Sequence, residues 1–530
     1  MWYLLIVLLT LFFSFTLYQD SCGVVTGHYG EKLQDYTDIL QQLIDKASES
    51  DDPVLMLKPG RFGIRGKDAV VLKPGVSLHG SEDEPTIFST LNNDDDEDDG
   101  EDDHHHNATA TIQVPAASVG WTIDGIIFDN VNIDVQPQQN HQVAKIANNV
   151  FLNGGRGSIQ SSFGANLLID SNIFLRDHAH AGKEFIPQYN TTNTGVLFQT
   201  QENSMISNNI FGMDLRHLDD LMPVVSSELQ SGLTKIKYAL TCLQAKWDDQ
   251  QGFLMSGVQL YSSNEITIQN NILNGTFPDT MPIPQDHAIS IVGSNQTYIL
   301  QNFVAGWQLA DFGGAFRFTS AVDSYVVSNY LANTAVMIYV ANHADFQQID
   351  NMVVYDNFFF HFLGKEFDPP APLAGWLYEG ITFYDFWTAR LNNTIRPPFW
   401  NSSAPLSPFA HNIIISDNHF ASAKGIDPNV ISLGNLEPTQ AHVDKKNCYV
   451  TEPLLNDTNR VPLLWRQQYQ KDTFARYGNK IPVRSPFSTD RHLIKYVPED
   501  LQDLEIPDFW KAFTLRNNTV PMIPPETECY

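Results

Sequence analysis

One short phrase returns along the middle of the chain and constrains its fold more than any other feature. NLLIDSNIF spans 166–174, NSMISNNIF 203–211, NEITIQNNIL 264–273 and NQTYILQNFV 295–304. DSYVVSNYL follows at 323–331, NMVVYDNFF at 351–359 and NIIISDNHF at 412–420, with weaker forms at 126–133 and around Asn149. Each copy is a β-rich strand, a polar corner with Asn, and another apolar pair. A unit this short cannot bury its apolar face alone, so the copies must stack. The corner residues Asn172, Asn209, Asn271, Asn302, Asn329, Asn357 and Asn418 are predicted to form one column. Asn suits a corner because it tolerates left-handed backbone, and stacked amides can ladder. Consecutive spacings are 37, 62, 31, 27, 28 and 61 residues. The short ones read as single coils. The two near 60 read as coils with insertions or as an extra, unrecognised coil.

A second strand precedes each phrase: GVLFQ at 195–199, GVQLY at 257–261, AISI at 288–291, AFRFT at 315–319, AVMIY at 335–339 and GITFY at 380–384. Their alternation points Val196, Val258, Ile289, Phe316, Val336 and Ile381 inward. Leu197, Gln259, Ser290, Arg317, Met337 and Thr382 then form an outward row. Such strands with few Asn-Gly hairpin signals fit stacked parallel sheets and disfavour a sandwich. The expected class is all-β: a right-handed parallel β-helix with an N-terminal helical cap, a helical insertion and an irregular C-terminal tail.

The ends and insertions differ from the repeat. Trp2–Leu17 is an uncharged apolar run that fits a signal peptide over 1–21 better than a membrane span; a signal anchor is the rival. The solenoid domain, with its cap, is expected over 22–436 and a capping tail over 437–530. Residues 30–47 read as a helix with Asp35 as N-cap and Tyr36, Ile39, Leu40, Leu43 and Ile44 as its apolar stripe. Within an insertion at 221–250, Leu229, Leu233, Ile236, Leu240, Leu243 and Trp247 sit at helical spacing and read as a packing face. The loop at 92–106 holds nine acidic residues in the ten from Asp94 to Asp103, followed by three histidines. That is a self-repelling solvated loop or a low-affinity calcium site, and Ca is the one cofactor suggested. The formal net charge of −29 argues against nucleic acid as a partner. No second apolar run is long enough to span a membrane, so a secreted, extracellular protein with no stable span after signal removal is expected. Sequons at Asn107, Asn190, Asn274, Asn295, Asn392, Asn401, Asn456 and Asn517 agree with secretion. Cys22, Cys242, Cys448 and Cys529 would then form two disulfides, with three pairings open.

The order of elements after the leader carries a resemblance. A helix is followed by PVLMLKPGRFGI at 53–64, VVLKPGVSLHG at 70–80 and TIF at 86–88. This helix, strand, Pro-Gly turn, strand, VSLHG order resembles the opening of the pectate-lyase superfamily, of the rhamnogalacturonase/epimerase-like, pectin-lyase-like type. The resemblance implies a β-helix capped by the helix, and a polysaccharide or other glycan as partner. It leaves the reaction open among lyase, hydrolase, epimerase and binding alone. The Asn-Thr-Asp, Gly-His-Gly and Arg-Ile-Lys elements of polygalacturonases are absent, as is the epimerase Asp-Pro-His-Asp element.

A sugar-cleaving β-helix works along an outward sheet face. A hydrolase needs two carboxylates; a lyase needs a base and a cation. Arg317 is the one charge in the outward row, and Asp286, His287, Asp311 and Glu379 lie at the ends of neighbouring strands. These five are the candidate catalytic residues; no metal is assigned to them. The plain alternative is an exposed arginine paired with Asp286 or Asp311. Tyr339, Trp376, Tyr384 and Trp387 are the candidate sugar-stacking rings, since the C–H faces of sugars are apolar. A second cluster, Arg176, Asp177, His178, His180, Lys183 and Glu184, follows the Asn172 corner. The resulting expectation is a lyase or glycoside hydrolase acting on polysaccharide, with a non-catalytic carbohydrate-binding or extracellular structural protein as the alternative.

Overall fold

The computed structural model describes residues 33–66, 69–82, 84–91, 109–116, 120–137, 142–176, 194–215, 218, 225–242, 251–252, 254–275, 287–307, 314–332, 334–340, 348–361, 380–385, 409–422, 431–432, 441–443 and 448–451. Three sheets contain nearly all the strands among them. Sheet 1 runs from Val54–Met56 to Ala441–Val443, sheet 2 from Gly60–Arg65 to Cys448–Thr451, and sheet 3 from Ala69–Val71 to Ile431–Ser432. They hold twelve, twelve and eleven strands, and each strand pairs in parallel with its equivalent one coil further on. The chain visits sheets 1, 2 and 3 in turn. This is a right-handed parallel β-helix.

Parallel in-register pairing places like residues above one another. In sheet 2, Phe62, Phe88, Phe128, Phe151, Phe174 and Phe211 form one interior column. Its last rings stack face to face, with centroids 4.9 Å apart for Phe151–Phe174 and 4.7 Å for Phe174–Phe211. That matches the spacing of neighbouring strands, about 4.8 Å. In sheet 3, Val196, Val258, Ile289, Phe316, Val336 and Ile381 lie in register and fully buried, as their alternation predicts.

The seven corner asparagines form one column, and Asn149 extends it. The backbone N–H and the Nδ2 of each donate to Oδ1 of the next, at 2.8–3.1 Å throughout. Asn209 bonds Asn271 directly across 62 residues, and Asn357 bonds Asn418 across 61. Both long spacings are therefore single coils with insertions. The left-handed backbone belongs to the preceding residue, with φ of 52–55° at Ser171, Asn208, Asn270, Gln301, Ser328, Asp356 and Asp417. Each corner thus divides its work: one residue makes the bend and the Asn satisfies buried backbone groups.

The N-terminal helix α1 is Thr37–Ala47. Its N-cap is Tyr36, one residue later than expected, and Asp35 accepts from the Thr37 N–H at 2.9 Å and its hydroxyl at 2.7 Å. Tyr36, Leu40 and Ile44 face the core; Ile39 is exposed. The Tyr36 ring packs edge-on against Phe62 at 5.2 Å and so closes the aromatic column. Helix α2, Ser227–Cys242, belongs to the insertion after sheet 2, whose neck is a small antiparallel pair, Met213–Asp214 with Gln251–Gly252. Its Leu229, Leu233 and Ile236 are buried, and Gly232 approaches Ile173 on the outer face of sheet 2 so closely that an added Cβ would lie 2.8 Å from Ile173 Cδ1. The stacking continues past 436, where the repeated phrase ends: Ala441–Val443 and Cys448–Thr451 add to sheets 1 and 2. Residues 1–21, the acidic loop 92–106 and 452–530 lie outside the described residues.

Candidate functional site on the outer face of sheet 3

The inward column of sheet 3 fixes the outward row beside it: Gln160, Leu197, Gln259, Ser290, Arg317, Met337 and Thr382, each in register with the next. Arg317 stands in its midst, half-buried, and its Nη2 donates to Ser290 Oγ at 2.8 Å on the strand before. That bond holds the guanidinium against the sheet rather than free in water. His287 opens the strand His287–Val292, paired with Gly314 at the start of the strand that carries Arg317. Its Nε2 lies 3.0 Å from Met337 Sδ, two strands on. Gly314 leaves the space that the imidazole crosses: a Cβ there would sit 3.0 Å from Met337 Sδ and 3.5 Å from His287 Cδ2.

The structure therefore brings His287 and Arg317 to the same side of adjacent strands, three residues apart in register, or about 10 Å along the sheet. It does not leave His287 open. His287 is 0% exposed, so the expectation of an accessible base is not met at this residue. Leu197, Gln259, Ser290 and Met337 are buried as well, which makes Arg317 the most accessible of these row members. Tyr339 departs from its expected role too. It is 4% exposed, and its hydroxyl lies 3.5 Å from Met337 Sδ, so it offers no free ring face. Tyr384 is in register with Tyr339 on the next strand. Asp286, Asp311, Glu379, Trp376 and Trp387 lie outside the described residues, as do the cluster His178, His180 and Lys183, and the sequons at Asn107, Asn190, Asn392, Asn401, Asn456 and Asn517. Asn295 begins a sheet 1 strand and is half-buried. Asn274 is 4% exposed and its Nδ2 donates to Gly212 O at 3.3 Å, so a glycan there would have to displace a buried bond. Cys242 ends α2 and Cys448 opens the last strand of sheet 2; Cys22 and Cys529 lie outside the described residues. Among the described residues, no group of three or more His, Cys, Asp or Glu could hold a metal ion, and no helix is long and apolar enough to cross a membrane.

A second titratable cluster sits where sheets 1 and 2 meet near the N-terminus. His79 Nδ1 and Asp124 Oδ1 are 2.6 Å apart on paired strands. Lys235 of α2 reaches across and donates to Gly125 O at 3.0 Å. Burial pushes the Lys235 ammonium below the usual lysine value, against the opposing pull of Asp124 and Glu82. Gly80 and Gly125 make this approach feasible, since a Cβ on Gly80 would fall 2.2 Å from Gly125 O. The sequence signal was SLHG at 77–80 and TIDG at 122–125: one pattern in consecutive coils, with His and Asp at the same position.

Neither a family model nor a curated protein matches the chain. Among solved structures it is similar to PfbA, a surface adhesin of Streptococcus pneumoniae, at 13% identity and a TM-score of 0.43 over 80% of this chain and 88% of that one. It is also similar to the catalytic domain of a GH87 alpha-1,3-glucanase in complex with tetrasaccharides, at 10% identity and a TM-score of 0.41 over 81% and 69% of the two chains. A third is the A-module of the Azotobacter vinelandii mannuronan C-5 epimerase AlgE6, at 11% identity and a TM-score of 0.36 over 81% and 98%.

Proposed function

We propose that this chain is a secreted, carbohydrate-directed β-helix protein that takes a glycan along the outer face of sheet 3, with Arg317 as its anchor. The observation that carries the reading is the placement of Arg317. A half-buried guanidinium is held by Ser290 on a face whose strands repeat about every 4.8 Å. A planar fork of donors grips a carboxylate or paired hydroxyls with defined geometry, and partial burial strengthens that grip. In a chain of net charge −29 a local cation is what an acidic sugar needs. The apolar run at 2–17 and the sequons support secretion.

In the catalytic version, Asp286, Asp311 and Glu379 supply acid–base groups around the anchored sugar, by elimination or hydrolysis. His287 is then a positioning residue: buried against Met337, it fixes the edge of the face. The alternative is binding without turnover, and the full burial of His287 favours it. The test is a screen of purified protein against pectin, alginate, neutral glucans and glycosaminoglycans. Elimination leaves a conjugated double bond with ultraviolet absorbance, hydrolysis leaves new reducing ends without it, and retention with neither supports binding alone. Arg317→Ala should weaken binding or turnover at least about tenfold, the range of one charge-assisted contact. Unchanged affinity and rate in that variant would remove this face from the proposal.

A further inference from the structure

The outer face of sheet 1 has an apolar strip over its C-terminal half. On the strands Asn295–Leu300, Val322–Val327, Ile349–Tyr355 and Ala410–Ser416, outward rows in register bring together Tyr325, Leu300, Val327, Val353 and Ile414, with Tyr298 and Tyr355 at the margin. The Tyr298 and Tyr325 rings stack at 5.2 Å. This cluster is separate from the solenoid core. Yet its members are buried: Val327 and Val353 are 0% exposed, Ile414 3%, Leu300 4% and Tyr325 7%. The two described helices pack elsewhere, α1 on the first strands and α2 on sheet 2. Burial on an outer face calls for a cover.

The rims of this strip are acidic. Asp323 and Asp350 lie on one side, Asp356 and Asp417 at the opposite corner, all half-buried. The four strands contain no Lys or Arg. The hydroxyls of Tyr325 and Tyr355 are pushed up by burial first and then by these carboxylates, which marks a negative field over the rings. A matching segment exists in the same chain. Residues 460–495 hold eight Lys or Arg against two Asp, in a protein that is otherwise strongly acidic. Trp465, Tyr469, Phe474 and Tyr477 are interleaved with the cations.

We infer that segment 460–495 of this chain lies across the outer face of sheet 1 and covers the tyrosine strip. Its aromatic residues pack on Tyr298, Tyr325 and Val353, and its cations meet the carboxylate rims. The reach is sufficient. The strip spans four strands, about 15 Å, and the residues between Thr451 and 460 extend about 30 Å. Opposite net charges on the two surfaces favour this pairing over a second acidic copy of the solenoid.

Zero-length coupling of carboxylates to amines in the full-length protein tests it, using an equimolar mixture of unlabelled and 15N-labelled chains. The expected result is cross-linked peptides that join Lys471, Lys480 or Lys495 to Asp323, Asp350, Asp356 or Asp417, all from one isotopic parent. Asp356→Lys with Asp417→Lys should lower hydrogen-exchange protection in 460–495 at least tenfold while the Asn271 and Asn302 amides stay protected. Cross-links of mixed isotopic parentage would overturn the inference in favour of a second copy. Fast exchange across 460–495 in the unaltered protein, with no such cross-links, would overturn it outright.

Discussion

Replacing Asn271 with Ala tests whether the amide column holds the coils or only decorates them. Asn271 Oδ1 accepts from the backbone N–H of Asn209 at 2.9 Å and from its Nδ2 at 3.0 Å. Its own Nδ2 donates to Ile206 O at 3.0 Å and to Asn302 Oδ1 at 2.9 Å. Alanine removes all four bonds. Asn209 Nδ2 keeps Ile169 O, and Asn302 Oδ1 keeps the Asn271 N–H. The Asn209 N–H loses its acceptor and Ile206 O loses its amide donor, both at a corner with 0% exposure at Asn209. An orphaned buried polar group costs about 1–3 kcal/mol. With two such groups, a loss of about 4 kcal/mol is expected. Urea unfolding followed by far-ultraviolet circular dichroism measures it, with hydrogen exchange at the 209 and 302 amides locating the loss in the two adjoining coils. A loss under about 1 kcal/mol would refute the argument, because it would mean that water or a small backbone shift satisfies both groups.

Three further outcomes follow from other places in the structure. Gly275→Ala should destabilise by about 3 kcal/mol or more, since its Cβ would fall 2.2 Å from the backbone N of buried Trp307, whereas Gly232→Ala should be neutral or slightly stabilising. There the clash is with the movable end of Ile173, and a helical Ala gains up to about 1 kcal/mol over Gly; chemical unfolding that ranks the two variants the other way would contradict this. Asp134→Asn should raise the melting midpoint at pH 7: burial, which outweighs the bond from Gln136, pushes the Asp134 carboxyl up, so the folded form holds its proton more tightly than the unfolded chain. That penalty is present above the raised folded value and fades as pH falls through it towards the ordinary 3.8, so midpoints of variant and parent should converge in acid; a constant offset would show that the gain is not electrostatic. Arg317→Ala should leave the melting midpoint within about 2 °C, because a half-buried side chain on an outer face contributes little to the core, and a larger drop would show that Arg317 is structural.

The fold was legible because stacking imposes period. Val196, Val258 and Ile289 fall in register since each begins the same alternation, and the Asn corners recur because each coil must satisfy the same bend. The sequence could not say which corner residue carries the left-handed backbone, since Asn208 and Asn209, or Asn270 and Asn271, are the same type. The stacking outruns the repeated phrase for a related reason. Strands such as Ala441–Val443 pair through backbone groups and need no repeated phrase. The site was less legible. Strict alternation would set His287 and Arg317, three residues apart in register, on opposite faces. They share one because Ala288 and Ile289, like Ala315 and Phe316, both belong to the core. Their burial depends on what crosses that face, where the segments have no period. The contact of His287 with Met337 spans 50 residues, and that of His79 with Asp124 spans 45. Only a coil-by-coil alignment exposes such neighbours.

Between sheets 1 and 2, every turn from 148–149 to 417–418 has two residues. The passage from sheet 2 to sheet 3 ranges from the single residue 130 to the whole of 212–255. The molecule therefore has a rigid spine along one edge and a free hem along another. Length added at the hem leaves the spine's register untouched, because Asn209 meets Asn271 as closely as Asn302 meets Asn329. New surface can be sewn on there without refolding the rest. His287 begins its strand at that hem, so chemistry placed beside it can be altered by changing loops alone.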